Sequence, residues 1–71
     1  MYDIIIFDGK PFTVKVKTEA ELKAILTRVY IKNKDNDYFE IEIFKNGVDI
    51  TECQFMNEMI GTIMDEVEKG E

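Results

Sequence analysis

The stretch Ile4-Ile5-Ile6-Phe7-Asp8-Gly9 decides the fold of this chain. Four large apolar residues in a row, followed at once by a turn dipeptide, predict a buried strand that ends at Phe7. We expect this first strand to run from Tyr2 to Phe7, with Asp3 as its one polar residue. A strand that is polar on neither face is typical of the interior of a sheet, so the remaining elements are placed around it.

A second strand is predicted from Phe12 to Lys17, where apolar and polar residues alternate. The turn before it contains Gly9, which accepts a positive φ, and Pro11, which fixes φ. Proline at the start of a strand and lysines along it discourage pairing with further strands. The pattern therefore places the second strand at an edge of the sheet.

Thr18 marks the predicted start of the first helix, because Thr18 and Glu21 fit a capping box. The run Val29-Tyr30-Ile31 is β-branched and aromatic, which leaves open whether the helix continues through it. The apolar stripe of this helix has helical spacing and consists of Leu22, Ile25, Leu26 and Val29.

The second half of the chain repeats the order strand, strand, helix. A third strand is predicted from Tyr38 to Lys45, and Asn46-Gly47 is the strongest hairpin signal in the sequence. A short fourth strand follows from Val48 to Ile50. Thr51, with Gln54 at the capping-box position, is predicted to cap the second helix.

The second helix has a broad apolar side, which Phe55 and Met64 widen. Gly61 in its interior costs about 1 kcal/mol relative to alanine, so we expect it to mark close backbone packing. Gly70 is the predicted C-terminal stop. The central stripe consists of Met56, Met59, Ile60, Ile63 and Val67.

The order ββαββα restricts the topology. A crossover through the first helix leaves the second and third strands parallel in direction. Placing the third strand beside the first then makes every neighbouring pair antiparallel. We predict an α+β fold, a four-stranded antiparallel sheet in the order 2-1-3-4 with both helices packed on one face, formed by residues 1–71 as a single small domain.

Composition argues against several classes of site. The chain has one cysteine, Cys53, and no histidine, so we expect neither an internal disulfide nor a structural zinc site. The polar run of residues 33–37 begins like a calcium loop. However, Tyr38 and Phe44 occupy the positions of the required glycine and glutamate, which predicts a plain solvated turn. We expect no metal and no cofactor.

The residues that acid–base chemistry needs are also missing. Without histidine, catalysis would require buried carboxylate pairs or an activated Cys53, and Glu40 and Glu42 are predicted to face outward. We therefore expect that the protein is not an enzyme. A lone thiol, no signal-peptide pattern and no apolar run near 20 residues predict a cytoplasmic protein without membrane contact.

The sheet face opposite the helices is the first candidate for binding, because an apolar strip rimmed by charge is typical of an interaction site. Three alternatives remain open: lysine and glutamate shield the strip without further purpose, a partner protein or a second copy docks there, the latter as a homodimer, or RNA binds to it. The candidate residues of this face are Ile5, Phe7, Lys15, Lys17, Tyr38, Glu40, Glu42 and Phe44.

The acidic side of the second helix is the second candidate, with Glu52, Glu58, Asp65 and Glu68. Residues 1–34 carry seven basic and four acidic residues, a net charge of +3, whereas residues 35–71 carry two and eleven, a net charge of −9. The acidic half disfavours direct nucleic-acid binding, but a rank of carboxylates can imitate phosphates.

We therefore predict a non-enzymatic protein–protein interaction module whose partner the sequence does not identify. The alternative is a nucleic-acid-mimicking inhibitor of a DNA- or RNA-binding enzyme. In composition, an acidic chain of 71 residues with one cysteine resembles the small accessory and regulatory proteins of bacteria and their phages. That likeness implies no particular fold or partner.

Overall fold

A computed structural model describes residues 1–36 and 38–69 of the chain. Within them the four strands form one sheet in the order β2-β1-β3-β4, and every neighbouring pair is antiparallel. The predicted α+β fold and strand order are confirmed. The elements are β1 (Tyr2–Phe7), β2 (Pro11–Val16), α1 (Glu19–Lys32), β3 (Glu40–Lys45), β4 (Val48–Asp49) and α2 (Gln54–Lys69).

β1 lies in the middle of the sheet because its apolar residues find apolar partners on both sides. Ile4 lies opposite Val14 of β2 and opposite Ile43 of β3. Ile4 and Ile6 are almost fully buried, as is Tyr2 at the start of the strand. Alternate residues of β1 therefore form the centre of the face that packs on the helices.

One hydrophobic core joins this sheet face to both helices. Its sheet members all point to the same side of the sheet, so both helices cover the same face, as predicted. Fully burying one such large apolar side chain contributes about 1.5–3 kcal/mol. The core consists of Tyr2, Ile4, Ile6, Val16 and Ile43 from the sheet, and of Leu22, Leu26, Val29, Met56 and Ile63 from the helices.

α1 begins as the capping pattern predicts. The hydroxyl oxygen of Thr18 accepts a hydrogen bond from the N–H of Glu21 at 3.1 Å, and the Glu21 carboxylate accepts one from the N–H of Lys17 at 3.3 Å. The helix continues through residues 29–31, because Val29 is buried in the core. Asn33 then closes the helix with its side-chain amide, which donates to the carbonyl of Val29 at 2.9 Å.

The β3–β4 hairpin forms as predicted, but the boundaries of three strands differ by one or two residues. Asn46 and Gly47 both have positive φ, 51° and 84°, the geometry that a two-residue hairpin turn requires. β2 lies one residue earlier than predicted, from Pro11 to Val16, and β4 ends at Asp49 rather than one residue later. β3 begins at Glu40, two residues later than predicted, because Tyr38 lies in a turn.

Three predictions about α2 are wrong. The helix begins at Gln54, so Thr51 does not cap it, and Glu52 precedes the helix. Thr51 instead bonds to β3, because the sheet still offers a free N–H there. A Cβ added at Gly61 would meet no atom within 4 Å, so this glycine marks no close packing. Gly70, the predicted stop, lies outside the described residues, as does Asp37 of the calcium-like run.

Candidate interaction surface

The strand residues that point away from the helices form one continuous face. The pairing register places Ile5 between Thr13 and Glu42. It places Phe7 between Pro11 and Glu40 in the next row on the same side. Residues paired across strands point to the same side of a sheet. We name this surface the open face, and its strand residues are Asp3, Ile5, Phe7, Pro11, Thr13, Lys15, Glu40, Glu42, Phe44 and Asp49.

Three apolar side chains lie on the open face. Ile5, Phe7 and Phe44 are half-buried, yet none of them belongs to the hydrophobic core or to the partly buried residues packed against it. Their partial burial therefore comes from neighbours on the same face rather than from the helices. They form an apolar strip that remains partly accessible to solvent.

The charge of the open face is predominantly negative. Lys15 is its single basic residue, against the carboxylates of Asp3, Glu40, Glu42 and Asp49, which gives the face a net charge of −3. Lys15 lies 3.8 Å from Asp3, and this Oδ1 atom of Asp3 is buried without a hydrogen-bond partner among the described residues. Lys15 is therefore engaged with Asp3.

Glu40 and Glu42 have no basic partner among the described residues. The ion pairs of this part of the chain join Lys15 to Asp3, Lys23 to Glu66, and Lys32 to Asp8. Both glutamates therefore offer their charge to an outside group, directly beside the apolar strip.

Lys17 and Tyr38 lie outside the rows of the open face, although they were predicted to belong to it. Lys17 follows the end of β2, and its N–H donates to Glu21 in the turn that leads into α1. Tyr38 lies in the turn before β3, where its side chain is 92% exposed and its N–H donates to Asn36 Oδ1 at 3.0 Å. The positions of Lys17 and Tyr38 therefore give no support to RNA binding on the open face.

Thr51 ends the short strand β4 by bonding to β3. Its hydroxyl oxygen accepts a hydrogen bond from the N–H of Ile43 at 2.9 Å, and the N–H of Ile50 donates to the carbonyl of Ile43 at 2.9 Å. The hydroxyl and N–H of Thr51 both donate to Asp49 Oδ1, at 2.6 and 2.9 Å. These bonds hold the pKa of the Asp49 carboxyl below its ordinary value.

A cavity of about 560 Å³ lies at this end of β4. It is lined by Glu42, Asp49, Thr51, Glu52 and Cys53. Sequence reasoning missed this region, because it treated Thr51 as a helix cap. The spacing of Asp49 and Thr51, an aspartate two residues before a hydrogen-bond donor, is the signal that predicts a local Asx turn instead.

The acidic residues of α2 lie apart from the open face. Glu58, Asp65 and Glu68 are exposed and project from the side of the helix opposite its buried residues Met56 and Ile63. They follow one another at seven and three residues, which spans about 15 Å of helix. They form a rank of carboxylates in solvent, separate from the apolar strip of the open face.

Other kinds of site find no support within the described residues. No group of three or more histidine, cysteine, aspartate or glutamate side chains in residues 1–36 and 38–69 is placed to hold a metal ion. Neither described helix is long and apolar enough to cross a membrane. No family model, no curated protein and no solved structure matches the chain.

Proposed function

We propose that this protein is a non-enzymatic protein–protein interaction module that binds a basic partner protein through the open face. The observation that carries this proposal is the position of Glu40 and Glu42. Both lie beside the half-buried strip of Ile5 and Phe7, and neither has a basic partner among the described residues. An apolar strip supplies contact area, and unpaired charges at its rim select the partner.

The charge of the open face favours a different protein over a second copy of this chain. A face-to-face homodimer would bring together two surfaces that each carry a net charge of −3. Like charges across an interface are unfavourable, and each copy offers only Lys15 to offset them. A basic partner with an apolar side chain at its centre satisfies both features of the face. The cytoplasm is the proposed compartment, because it keeps a lone thiol such as Cys53 reduced.

A nucleic-acid-mimicking inhibitor is the second candidate. It rests on the exposed carboxylates of Glu58, Asp65 and Glu68 on the solvent side of α2. Such a rank could occupy a basic channel by charge alone, so its binding would fall steeply with salt. The two candidates use opposite surfaces of the molecule and are separated by substitutions on each.

Selection of a random peptide library on the immobilised protein tests the proposal. We expect the enriched peptides to carry a net positive charge and at least one large apolar residue. Phe7→Asp and Glu42→Lys should each weaken binding of these peptides at least about tenfold, a loss of about 1.4 kcal/mol. Phe55→Asp and Glu68→Lys make the same chemical changes on α2 and should leave binding within about twofold.

The outcomes distinguish the candidates. An enriched pool without net positive charge, or equal losses in Phe7→Asp and Phe55→Asp, would overturn the open face as the binding surface. Loss of binding in Glu68→Lys alone would favour the acidic side of α2. A circular dichroism spectrum checks that each variant is folded. Glu42→Lys changes only a side chain at the surface and keeps the test decisive if Phe7→Asp fails to fold.

A further inference from the structure

One section of β3 has an unpaired outer edge. In the pairing with β1, Ile4 lies opposite Ile43 and Ile6 lies opposite Ile41, so Ile41 and Ile43 have the same orientation. The N–H and carbonyl of Ile43 point away from β1, to Thr51 and Ile50. The N–H and carbonyl of Ile41 therefore point outward too, and they have no hydrogen-bond partner among the described residues.

The space beside Ile41 is the space that a longer β4 would fill. β4 pairs only with Phe44 and Lys45 of β3, and the chain then leaves the sheet at Thr51. The cavity of about 560 Å³ begins there, lined by Glu42 of β3 and by residues of the turn that leads to α2. The sheet thus stops short at this edge, and the cavity at the end of β4 reaches Glu42, the neighbour of Ile41 in β3.

We propose that the partner's binding segment adds to the sheet as an extended strand, pairing with Ile41 in line with β4. This inference rests on the proposed function and specifies how the basic partner is held. Strand addition to an exposed edge uses main-chain hydrogen bonds for attachment and alternate side chains for specificity. The free edge from Glu40 to Glu42 spans about 7 Å, so the segment that pairs is about three residues long.

Charge selects a basic segment at this edge. Glu40 and Glu42 flank Ile41 on β3, and Glu52 lines the cavity at the end of β4 together with Glu42. Lysine or arginine at alternate positions of the added strand would lie on the open face next to Glu40 and Glu42. The residues between them would point to the helix side of the sheet, as Ile41 does.

The other edge of the sheet has the opposite character. The outer edge of β2 is unpaired along the whole strand in the described sheet. However, β2 begins with Pro11, which has no N–H, and it carries Lys15 on the open face. Proline and lysine at an edge discourage strand addition, and Lys15 repels a basic segment in particular. The unpaired edge of β3 is therefore the edge that fits the partner proposed above.

The probe for this inference is an eight-residue peptide of alternating lysine and valine with blocked termini. Its binding to the isotope-labelled protein should slow hydrogen exchange of the Ile41 amide at least tenfold. The Ile43 amide, already bonded to Thr51, and the Thr13 and Lys15 amides on β2 are internal controls and should not change. Backbone N–H groups alternate in direction along a strand. N-methylation of one set of residues, either all valines or all lysines, should therefore abolish binding, whereas N-methylation of the other set should not.

Each alternative result overturns strand addition at the β3 edge. If both N-methylated peptides bind like the parent peptide and the Ile41 amide is unchanged, the peptide lies across the open face, and the proposed function survives without the edge. If the matched glutamate–valine peptide binds and protects Thr13 and Lys15, β2 is the receiving edge. If library selection yields basic peptides but the lysine–valine peptide does not bind, the edge is not used. Failure of the library selection itself marks failure of the proposed function.

Discussion

At the scale of single residues, Thr51 joins three parts of the chain through one side chain. Its hydroxyl oxygen accepts the N–H of Ile43, and its hydroxyl hydrogen is donated to Asp49. Replacing the hydroxyl with a methyl group would leave the Ile43 N–H without a partner in a half-buried place. An unsatisfied buried donor costs more than the bond itself contributes.

Thr51→Val should therefore destabilise the fold by about 1–3 kcal/mol. The matched control is Thr62→Val, whose hydroxyl donates to the carbonyl of Glu58 on the exposed side of α2. That substitution should change stability by less than about 0.5 kcal/mol. Urea unfolding of the three proteins measures both effects, and equal stability of wild type and Thr51→Val would contradict the role given to this hydroxyl.

The same contacts predict a pH dependence. The bonds from Thr51, its side chain first, lower the pKa of the folded Asp49 carboxyl. A carboxyl whose folded pKa is below its unfolded value contributes stability above the unfolded pKa. That contribution is lost as pH falls through the folded pKa. The midpoint of the Asp49 titration, followed by NMR, should therefore rise in Thr51→Val and stay unchanged in Thr62→Val. An unchanged midpoint in Thr51→Val would contradict the assigned cause.

Only part of the open face follows from the sequence. The alternation in β2 and β3 predicts which of their residues share a face, since side chains alternate strictly along a strand. Ile5 and Phe7 are assigned to the open face once the alternate residues of β1 are assigned to the core. Lys17 and Tyr38 could not be placed this way, because they lie beyond the ends of their strands and alternation no longer applies to them.

At the scale of secondary structure elements, the two helix starts show where sequence patterns succeed and fail. Thr18 and Glu21 match a capping box and cap α1. Thr51 and Gln54 match the same pattern, but the free N–H of Ile43 in the neighbouring strand takes the Thr51 hydroxyl. A local pattern carries no information about such a competing partner from a distant part of the chain.

Gly61 lowers the stability of α2 at a position where the fold does not need a glycine. A Cβ there meets no atom within 4 Å. Gly61→Ala should therefore stabilise the protein by about 0.5–1 kcal/mol, because alanine loses less backbone freedom in a helix. Gly47→Ala is the matched control: the turn holds Gly47 at a φ of 84°, so alanine should destabilise by about 1–2 kcal/mol. Thermal unfolding distinguishes the two, and destabilisation by Gly61→Ala would contradict the open space at this site.

At the scale of the whole molecule, charge should keep this protein monomeric. The chain has a net charge of −6, and the open face carries half of that excess. We expect light scattering in low-salt buffer to give the mass of a single chain at both low and high protein concentration. A mass that doubles with concentration would mean that the apolar strip associates with itself. Loss of that dimer in Phe7→Asp, but not in Phe55→Asp, would locate the contact.

The overall topology was predictable because several signals agree on it. A doubly apolar first strand requires two neighbours, the proline and lysine pattern assigns one edge, and the crossover helix fixes strand directions. The position at which β4 leaves the sheet was not predictable. It depends on the bond between Thr51 and Ile43, which forms only once the chain has folded back on itself.

The central position of β1 also has a consequence for biosynthesis. β1 is made first, but its partners in β3 follow between 33 and 43 residues later in the chain. At about 5–20 residues per second, a ribosome needs several seconds to supply them. During that interval the most apolar strand has β2 as its single neighbour, and its other edge is open to strands of nascent copies nearby. Slower initiation of translation spaces the ribosomes further apart on the messenger RNA. It should therefore raise the yield of folded protein more than a lower growth temperature does.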